Sequence, residues 1–137
     1  MTGIYIHVPF CAKKCPYCAF FSERYSRETV DNYVKAVIRN LQAYQVTDTV
    51  DTIYFGGGTP SLLTAGQISQ ILEACATYLH LHQPEITLEF NPTGKRDTYL
   101  QDIHSAGVNR LSIGTQSFSD SQLQLLGRTH SASDGIR

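Results

Sequence analysis

The sequence repeats one local pattern four times: a strand-like run, then a turn, then a helical pattern. Runs rich in β-branched and aromatic residues at 3–8, 51–55, 85–90 and 109–114 predict four strands. Apolar residues at helical spacing after each run predict a helix there. Strands that alternate with helices favour right-handed crossovers, so the chain is predicted to be an α/β protein with a parallel sheet, either open or curved toward a barrel.

Capping residues predict where these helices begin and end. Ser26 is expected to cap the first helix, and Thr64 with Gln67 fits a capping box at the start of the second. The remaining caps are Gly107 after the third helix, and Ser119, Gln122 and Gly127 around the fourth.

The unusual residues follow the predicted strands. The first strand leads into a cysteine loop, the second into three glycines, the third into Asn91 and Pro92, and the fourth into Gln116. Because parallel α/β folds carry their functional groups on the loops after the strand carboxyl ends, one site is predicted there.

The cysteine loop has the pattern C-x3-C-x2-C, formed by Cys11, Cys15 and Cys18. Thiolates are soft ligands for zinc, copper(I) and iron–sulfur clusters. Three thiolates on one short loop can bind three irons of a [4Fe–4S] cluster and leave the fourth iron open. A zinc site completed by His7 or Cys75, and disulfides, stay open as alternatives. Cys75 lies at core spacing on a helix and is expected to be buried.

The glycine run lies in "YFGGGTPS", residues 54 to 61. Three glycines remove side-chain bulk, which indicates that something approaches the main chain closely; a tight turn is the alternative. The run matches neither a phosphate-binding loop nor the dinucleotide fingerprint.

Composition gives no electrostatic reason to expect nucleic acid or an anionic membrane as a partner, because the formal net charge of the 137 residues is −1. The start of the sequence lacks a signal-peptide pattern, and no apolar stretch reaches the roughly 18 to 20 residues of a membrane span. The expected location is cytoplasmic, where thiols stay reduced.

Four stretches together resemble one family: "YIHVPFCAKKCPYCAF", "FGGGTPSLL", "ITLEFNP" and "GVNRLSIGTQSF…LLGRTH", from Tyr5 to His130. They are similar to radical S-adenosylmethionine (radical SAM) proteins of the oxygen-independent coproporphyrinogen III oxidase-like subfamily. The resemblance implies a partial (β/α) barrel of the radical SAM type with about four strand–helix units. Residues 1–137 would form the N-terminal portion of the core domain, with the remaining barrel units and a C-terminal domain absent.

The resemblance also implies a role for each matching residue. Cys11, Cys15 and Cys18 would hold a [4Fe–4S] cluster whose open iron binds S-adenosylmethionine. Structural alternatives are a strand aromatic for Tyr5, a solvated edge carboxylate for Glu89, and for Arg128 a cation near a helix C-terminus. The residues at matching cofactor-binding positions are Tyr5, Tyr17, Gly57, Gly58, Thr59, Glu89, Gln116 and Arg128.

Within the subfamily, "Cys18-Ala19-Phe20" resembles the haem chaperone branch, because the oxidases carry a further cysteine where this chain has Phe20. The resemblance then implies a protein that delivers haem to target enzymes. Its expected partners are S-adenosylmethionine, haem or porphyrin, an electron donor protein and a haem-recipient enzyme. The alternatives are a true oxidase that decarboxylates coproporphyrinogen III, or an inactive truncated remnant. The histidines expected at the surface rather than as haem ligands are His80, His82, His104 and His130.

Overall fold

The computed structural model describes residues 2–44, 47–92 and 97–136. The strands are β1 (Thr2–Val8), β2 (Phe10–Cys11), β3 (Glu23–Arg24), β4 (Thr49–Gly57), β5 (His80–Phe90) and β6 (Arg110–Ile113). The helices are α1 (Arg27–Ala43), α2 (Ala65–Tyr78), α3 (Asp97–Ser105), α4 (Asp120–Leu125) and α5 (Ala132–Ile136), with a short 3-10 helix at Pro60–Leu62.

The main sheet has four strands in the order β1-β4-β5-β6, and every neighbouring pair is parallel. A separate two-stranded parallel pair joins β2 to β3 beside the first strand. The predicted α/β class with a parallel sheet and four strand–helix units is therefore confirmed.

The two faces of the sheet differ in polarity because successive strand residues point to opposite sides. One face supplies Ile6, Val8, Ile53, Phe55 and Leu88, which are buried in a single core cluster with apolar residues of α1, α2 and α3. The opposite face is polar. Its residues include Tyr5, His7, Tyr54, Thr87 and Glu89.

Three of the predicted helix ends are confirmed. The Ser26 hydroxyl accepts a hydrogen bond from the backbone N–H of Thr29 at the start of α1. Thr64 and Gln67 form the expected capping box at the start of α2. Gly107 has a φ of 116° and ends α3 in the left-handed conformation that favours glycine.

The predicted end of α4 is also confirmed, because Gly127 follows it at a φ of 68°, but its start differs from the prediction. Ser119 does occupy the N-cap position, but its side chain makes no capping hydrogen bond and contacts the Ser121 hydroxyl instead. Gln122 accepts from the hydroxyl of Ser117, so its partner lies two residues earlier than predicted. The short helix lacks a capping box because Ser119 contacts Ser121 and Gln122 accepts from Ser117.

The core contains Cys75, as the helical spacing predicted. Its side chain is fully buried on α2, and burial raises the pKa of the thiol to about 11. Within the described ranges, no helix is both long and apolar enough to cross a membrane.

Candidate cofactor-binding site

A cavity of about 460 Å³ lies where the carboxyl ends of β4, β5 and β6 meet the cysteine loop. Parallel strands place their carboxyl ends at one edge of the sheet, so distant parts of the sequence converge there. Of the eleven predicted site residues, only Tyr5 is missing from the described lining. The ten that line the cavity are Cys11, Cys15, Tyr17, Cys18, Gly57, Gly58, Thr59, Glu89, Gln116 and Arg128.

The glycines are needed because the protein's own chain approaches them. A Cβ on Gly58 would lie 2.6 Å from the Phe10 carbonyl oxygen and 3.1 Å from the Cys11 sulfur. A Cβ on Gly57, whose φ is 116°, would lie 2.7 Å from the His7 ring. The predicted close approach to the main chain is confirmed, and the group that approaches is β1 with the start of the cysteine loop.

Backbone hydrogen bonds fix the end of β4 against the cysteine loop. The N–H of Gly58 donates to the Val8 carbonyl and the N–H of Thr59 to the Phe10 carbonyl, each at 2.8 Å. The Thr59 hydroxyl lies 3.6 Å from the Cys11 sulfur and donates to it. The loop therefore enters the cavity from a backbone position that β4 holds.

Glu89 is a half-buried bridge rather than a solvated edge carboxylate. It lies on β5, an interior strand, and its oxygens accept from the Tyr54 hydroxyl at 2.8 Å and the Gly57 N–H at 3.1 Å. Burial and the hydrogen bond to Glu89 raise the pKa of Tyr54. Tyr54 was not among the predicted site residues, although the period-two alternation of β4 and β5 places it on the same face as Glu89.

Arg128 joins three parts of the cavity wall. Its guanidinium donates to the Asn91 side-chain oxygen and to the Gly114 carbonyl, each at 2.8 Å, and to the Cys15 sulfur at 3.7 Å. Arg128 also follows the end of α4, as the structural alternative expected, with its N–H donating to the Leu123 carbonyl. Its side chain nevertheless faces the cavity.

The cysteine loop rests on the end of α4. Lys13 donates to the Gly127 carbonyl at 3.3 Å, and a Cβ on Gly127 would lie 3.0 Å from the Pro16 ring. Partial burial raises the pKa of Tyr17, while the positive charge of Arg128 acts in the opposite direction. Lys13 is therefore tied to the fold, whereas Lys14 is exposed at the cavity.

Tyr5 lies on the polar face of β1, beside the cavity. Its ring stacks on Tyr54 with centroids 6.0 Å apart, and its hydroxyl is 3.2 Å from Nδ1 of His7. Partial burial and the negative charge of Glu89 raise the pKa of Tyr5. Its ring is 59% exposed, so Tyr5 is available to a ligand that extends from the cavity over this face.

The thiols supply a suitable donor set without a preformed metal geometry. Within residues 2–44, 47–92 and 97–136, no three His, Cys, Asp or Glu side chains lie close enough together to hold a metal ion. The four cysteines are free, and neither Cys75 nor His7 lines the cavity, which removes the support for a zinc site completed by either. Three free thiols on one loop fit a cluster with one open iron. Their assignment as ligands stays a prediction.

His130 was wrongly predicted to be a surface residue. It is 6% exposed, and its Nε2 lies 3.0 Å from the Thr115 carbonyl oxygen. The expectation holds for His80, His82 and His104, which are exposed. The buried position of His130 depends on packing against the loop after β6, which no local pattern predicts.

These features define a class of parallel α/β protein in which a three-cysteine loop and a glycine-rich strand end face one cavity. The sequence model of the Radical SAM superfamily matches residues 5–136. The chain therefore belongs to the radical SAM superfamily, and the predicted resemblance is confirmed.

Individual proteins with similar sequences show which members of the superfamily this chain resembles. The chain is 46% identical over 140 residues to mouse (Mus musculus) "Radical S-adenosyl methionine domain-containing protein 1, mitochondrial", covering 99% of this chain and 32% of that protein. It is 43% identical over 141 residues to "Heme chaperone HemW" of Escherichia coli (strain K12), covering 98% of this chain and 37% of that protein. The cytoplasmic location stays a prediction, because the mouse protein's name says mitochondrial.

A solved structure supports the same fold. The coproporphyrinogen III oxidase HemN from Escherichia coli, described as a radical SAM enzyme, matches with a TM-score of 0.87 and 26% identity over 96% of this chain and 32% of that one. The predicted partial barrel of the radical SAM type is confirmed. The chain spans about a third of the length of these relatives.

Proposed function

We propose that this chain is the N-terminal portion of a radical SAM core domain that binds a [4Fe–4S] cluster and S-adenosylmethionine in a haem chaperone-type protein. The observation that carries the proposal is the convergence of three free thiols, a bare backbone turn and charged side chains on one cavity. The superfamily membership implies the two cofactors in general terms.

Cys11, Cys15 and Cys18 would hold the cluster. When bound, the cluster supplies one electron for cleavage of the sulfonium of S-adenosylmethionine, and its open iron binds the amino-acid end of that cofactor. Hydrogen bonds to cluster sulfurs influence reduction potential and ligand orientation. The donors in place for this role are the Thr59 hydroxyl and the Arg128 guanidinium.

S-adenosylmethionine would lie along the rest of the cavity. A carboxylate has about four lone-pair directions, so Glu89 retains acceptor capacity for an ammonium group after it binds Tyr54 and Gly57. Gly57 and Gly58 line the cavity and would offer backbone atoms to the ligand. Tyr17 offers an aromatic surface to the adenine, and Gln116 and Arg128 provide polar groups for the ribose and carboxylate. Tyr5 would contribute from the neighbouring polar face.

The haem-delivery role is favoured by the 43% identity to the Escherichia coli heme chaperone across nearly the whole chain. Phe20, at the position of the additional oxidase cysteine, lines the cavity and supplies no further thiol. Haem or porphyrin, an electron donor protein and a haem-recipient enzyme are the proposed partners. The second candidate is the oxidase reaction, which the TM-score of 0.87 to the oxidase structure favours.

Anaerobic reconstitution followed by iron and sulfide analysis tests the cluster. We expect about four irons and four sulfides per chain. Cys15→Ser should abolish iron uptake, whereas Cys75→Ala, which removes a core thiol outside the cavity, should retain it. Stoichiometric zinc without iron would instead support an inactive remnant.

Two further assays separate haem delivery from oxidation. Haem added to the reconstituted protein should give a saturable spectral change that the apo form of a haem enzyme can reverse by accepting the haem. Coproporphyrinogen III incubated anaerobically with a reductant and S-adenosylmethionine should remain unconverted. Steady formation of protoporphyrinogen would replace the chaperone proposal with the oxidase.

A further inference from the structure

The loop after β6 has an unfavourable backbone conformation at Gln116. Its φ is 65°, and Gln83 is the only other non-glycine residue with positive φ in the described ranges. The Ser117 N–H donates to the Thr115 carbonyl at 2.8 Å, which closes a three-residue turn with Gln116 at its centre. A non-glycine residue in the left-handed conformation is strained and persists only where surrounding structure holds it.

His130 contacts the carbonyl that closes this turn. Because a carbonyl oxygen can only accept, the 3.0 Å contact requires Nε2 of His130 to carry the proton. Nδ1 is buried and has no partner among the described residues. The contact therefore identifies Nε2 as the ring nitrogen that carries a proton, and Nδ1 has no acceptor to which it could donate.

Other contacts hold the part of the loop that precedes Gln116. Gly114 donates its N–H to the Phe90 carbonyl and accepts from Arg128 through its own carbonyl. A Cβ on Gly135 of α5 would lie 2.8 Å from the Thr115 side chain, so this side chain packs closely against the backbone of α5. Gln116 itself is exposed and lines the cavity.

We infer that His130 is a positioning residue that holds the Thr115 carbonyl and so keeps Gln116 in the left-handed conformation that presents it to the cavity. The inference rests on the proposed function, because the ligand that Gln116 would meet is S-adenosylmethionine. It assigns a role to a buried imidazole that contacts neither the cysteines nor the cavity. An amide held in this way can donate to and accept from a hydroxyl-bearing ligand.

The test compares two amides in place of the imidazole. In His130→Gln the amide nitrogen can reach the position of Nε2, whereas in His130→Asn the shorter side chain places it near Nδ1. We expect His130→Asn to weaken S-adenosylmethionine binding about tenfold in equilibrium dialysis and to speed exchange of the Ser117 amide hydrogen, with iron content unchanged. His130→Gln should restore both values. His104→Asn is the matched control, because exposed His104 also contacts a backbone carbonyl.

The outcomes separate the inference from the proposed function. Wild-type protein that holds iron but binds no S-adenosylmethionine would contradict the proposed function. In that case the inference about His130 would be decided by two measurements that need no ligand, the exchange of the Ser117 amide hydrogen and the ¹⁵N signals of the His130 ring. The inference is supported if His130 of the wild type is the Nε2–H tautomer and the Ser117 amide hydrogen exchanges faster in His130→Asn. Wild-type exchange and affinity in His130→Asn, or an Nδ1–H tautomer, would overturn it.

Discussion

Gly58→Ala provides a direct test of how the cysteine loop is held. The added methyl would lie 2.6 Å from the Phe10 carbonyl oxygen, about 0.8 Å closer than ordinary van der Waals contact. The two nearest atoms belong to the Phe10 backbone, so rotation of a side chain cannot relieve the contact. Relief requires β4 and the loop to separate, which weakens the hydrogen bonds from Gly58 to Val8 and from Thr59 to Phe10.

The magnitude follows from these contacts. Forced overpacking costs about 1–3 kcal/mol, and each weakened backbone hydrogen bond about 1 kcal/mol. The lower entropy of the unfolded alanine chain offsets about 0.4–1 kcal/mol. We therefore expect the free energy of unfolding to fall by about 2–5 kcal/mol. Iron uptake should fall with it, because the displaced strand β2 carries Cys11.

Urea unfolding under reducing, anaerobic conditions measures this change. Gly66→Ala is the matched control, because Gly66 lies on α2 and an added Cβ meets nothing within 4 Å. The control should be neutral or stabilising by up to about 1 kcal/mol. A Gly58→Ala protein whose unfolding free energy stays within about 0.5 kcal/mol of wild type would refute the reasoning.

Three more predictions follow from single contacts. Glu89→Gln should lower the unfolding free energy by about 1–2 kcal/mol, because an amide NH2 replaces one of the two oxygens that accept from Tyr54 and Gly57. Glu85→Gln, in a half-exposed ion pair, should cost under about 1 kcal/mol in the same urea assay. Burial raises the pKa of Cys75 from 9.0 to about 11, so stability should fall as pH rises between those values. Urea titrations at several pH values should show a shallower fall in Cys75→Ala; an equal fall would contradict this cause. Gly127→Ala, at a φ of 68° and against Pro16, should lower the melting temperature by several degrees in a thermal scan.

Much of the secondary structure could be predicted from the sequence because it depends on neighbours within a few residues. The capping box of Thr64 and Gln67 is local, as is the left-handed stop at Gly107. The first half of β5 could not be predicted in this way. Its residues lack alternation and include Gln83 at a φ of 43°, and the segment is held by pairing of His80 and Leu81 with β4, about thirty residues earlier in the chain.

The location of the site could also be predicted, because a parallel sheet brings its carboxyl ends together whatever the side chains are. The individual contacts could not. The bond from Arg128 to Asn91 crosses 37 residues, and His130 meets Thr115 across 15. The run of three glycines predicted a close approach to the backbone. Only the folded chain identifies β1 and the cysteine loop as the segments that approach it.

Because α4 stops at Gly127, the number of residues in α4 determines the position of the Arg128 guanidinium that follows it. The Arg128 N–H donates to the Leu123 carbonyl about one turn back. From this position the guanidinium reaches Asn91 after β5, Gly114 after β6 and the Cys15 sulfur. One residue inserted into α4 would turn everything beyond it by about 100° around the helix axis. We expect natural variants of this segment to exchange side chains freely on the outer surface of α4 while keeping its residue count.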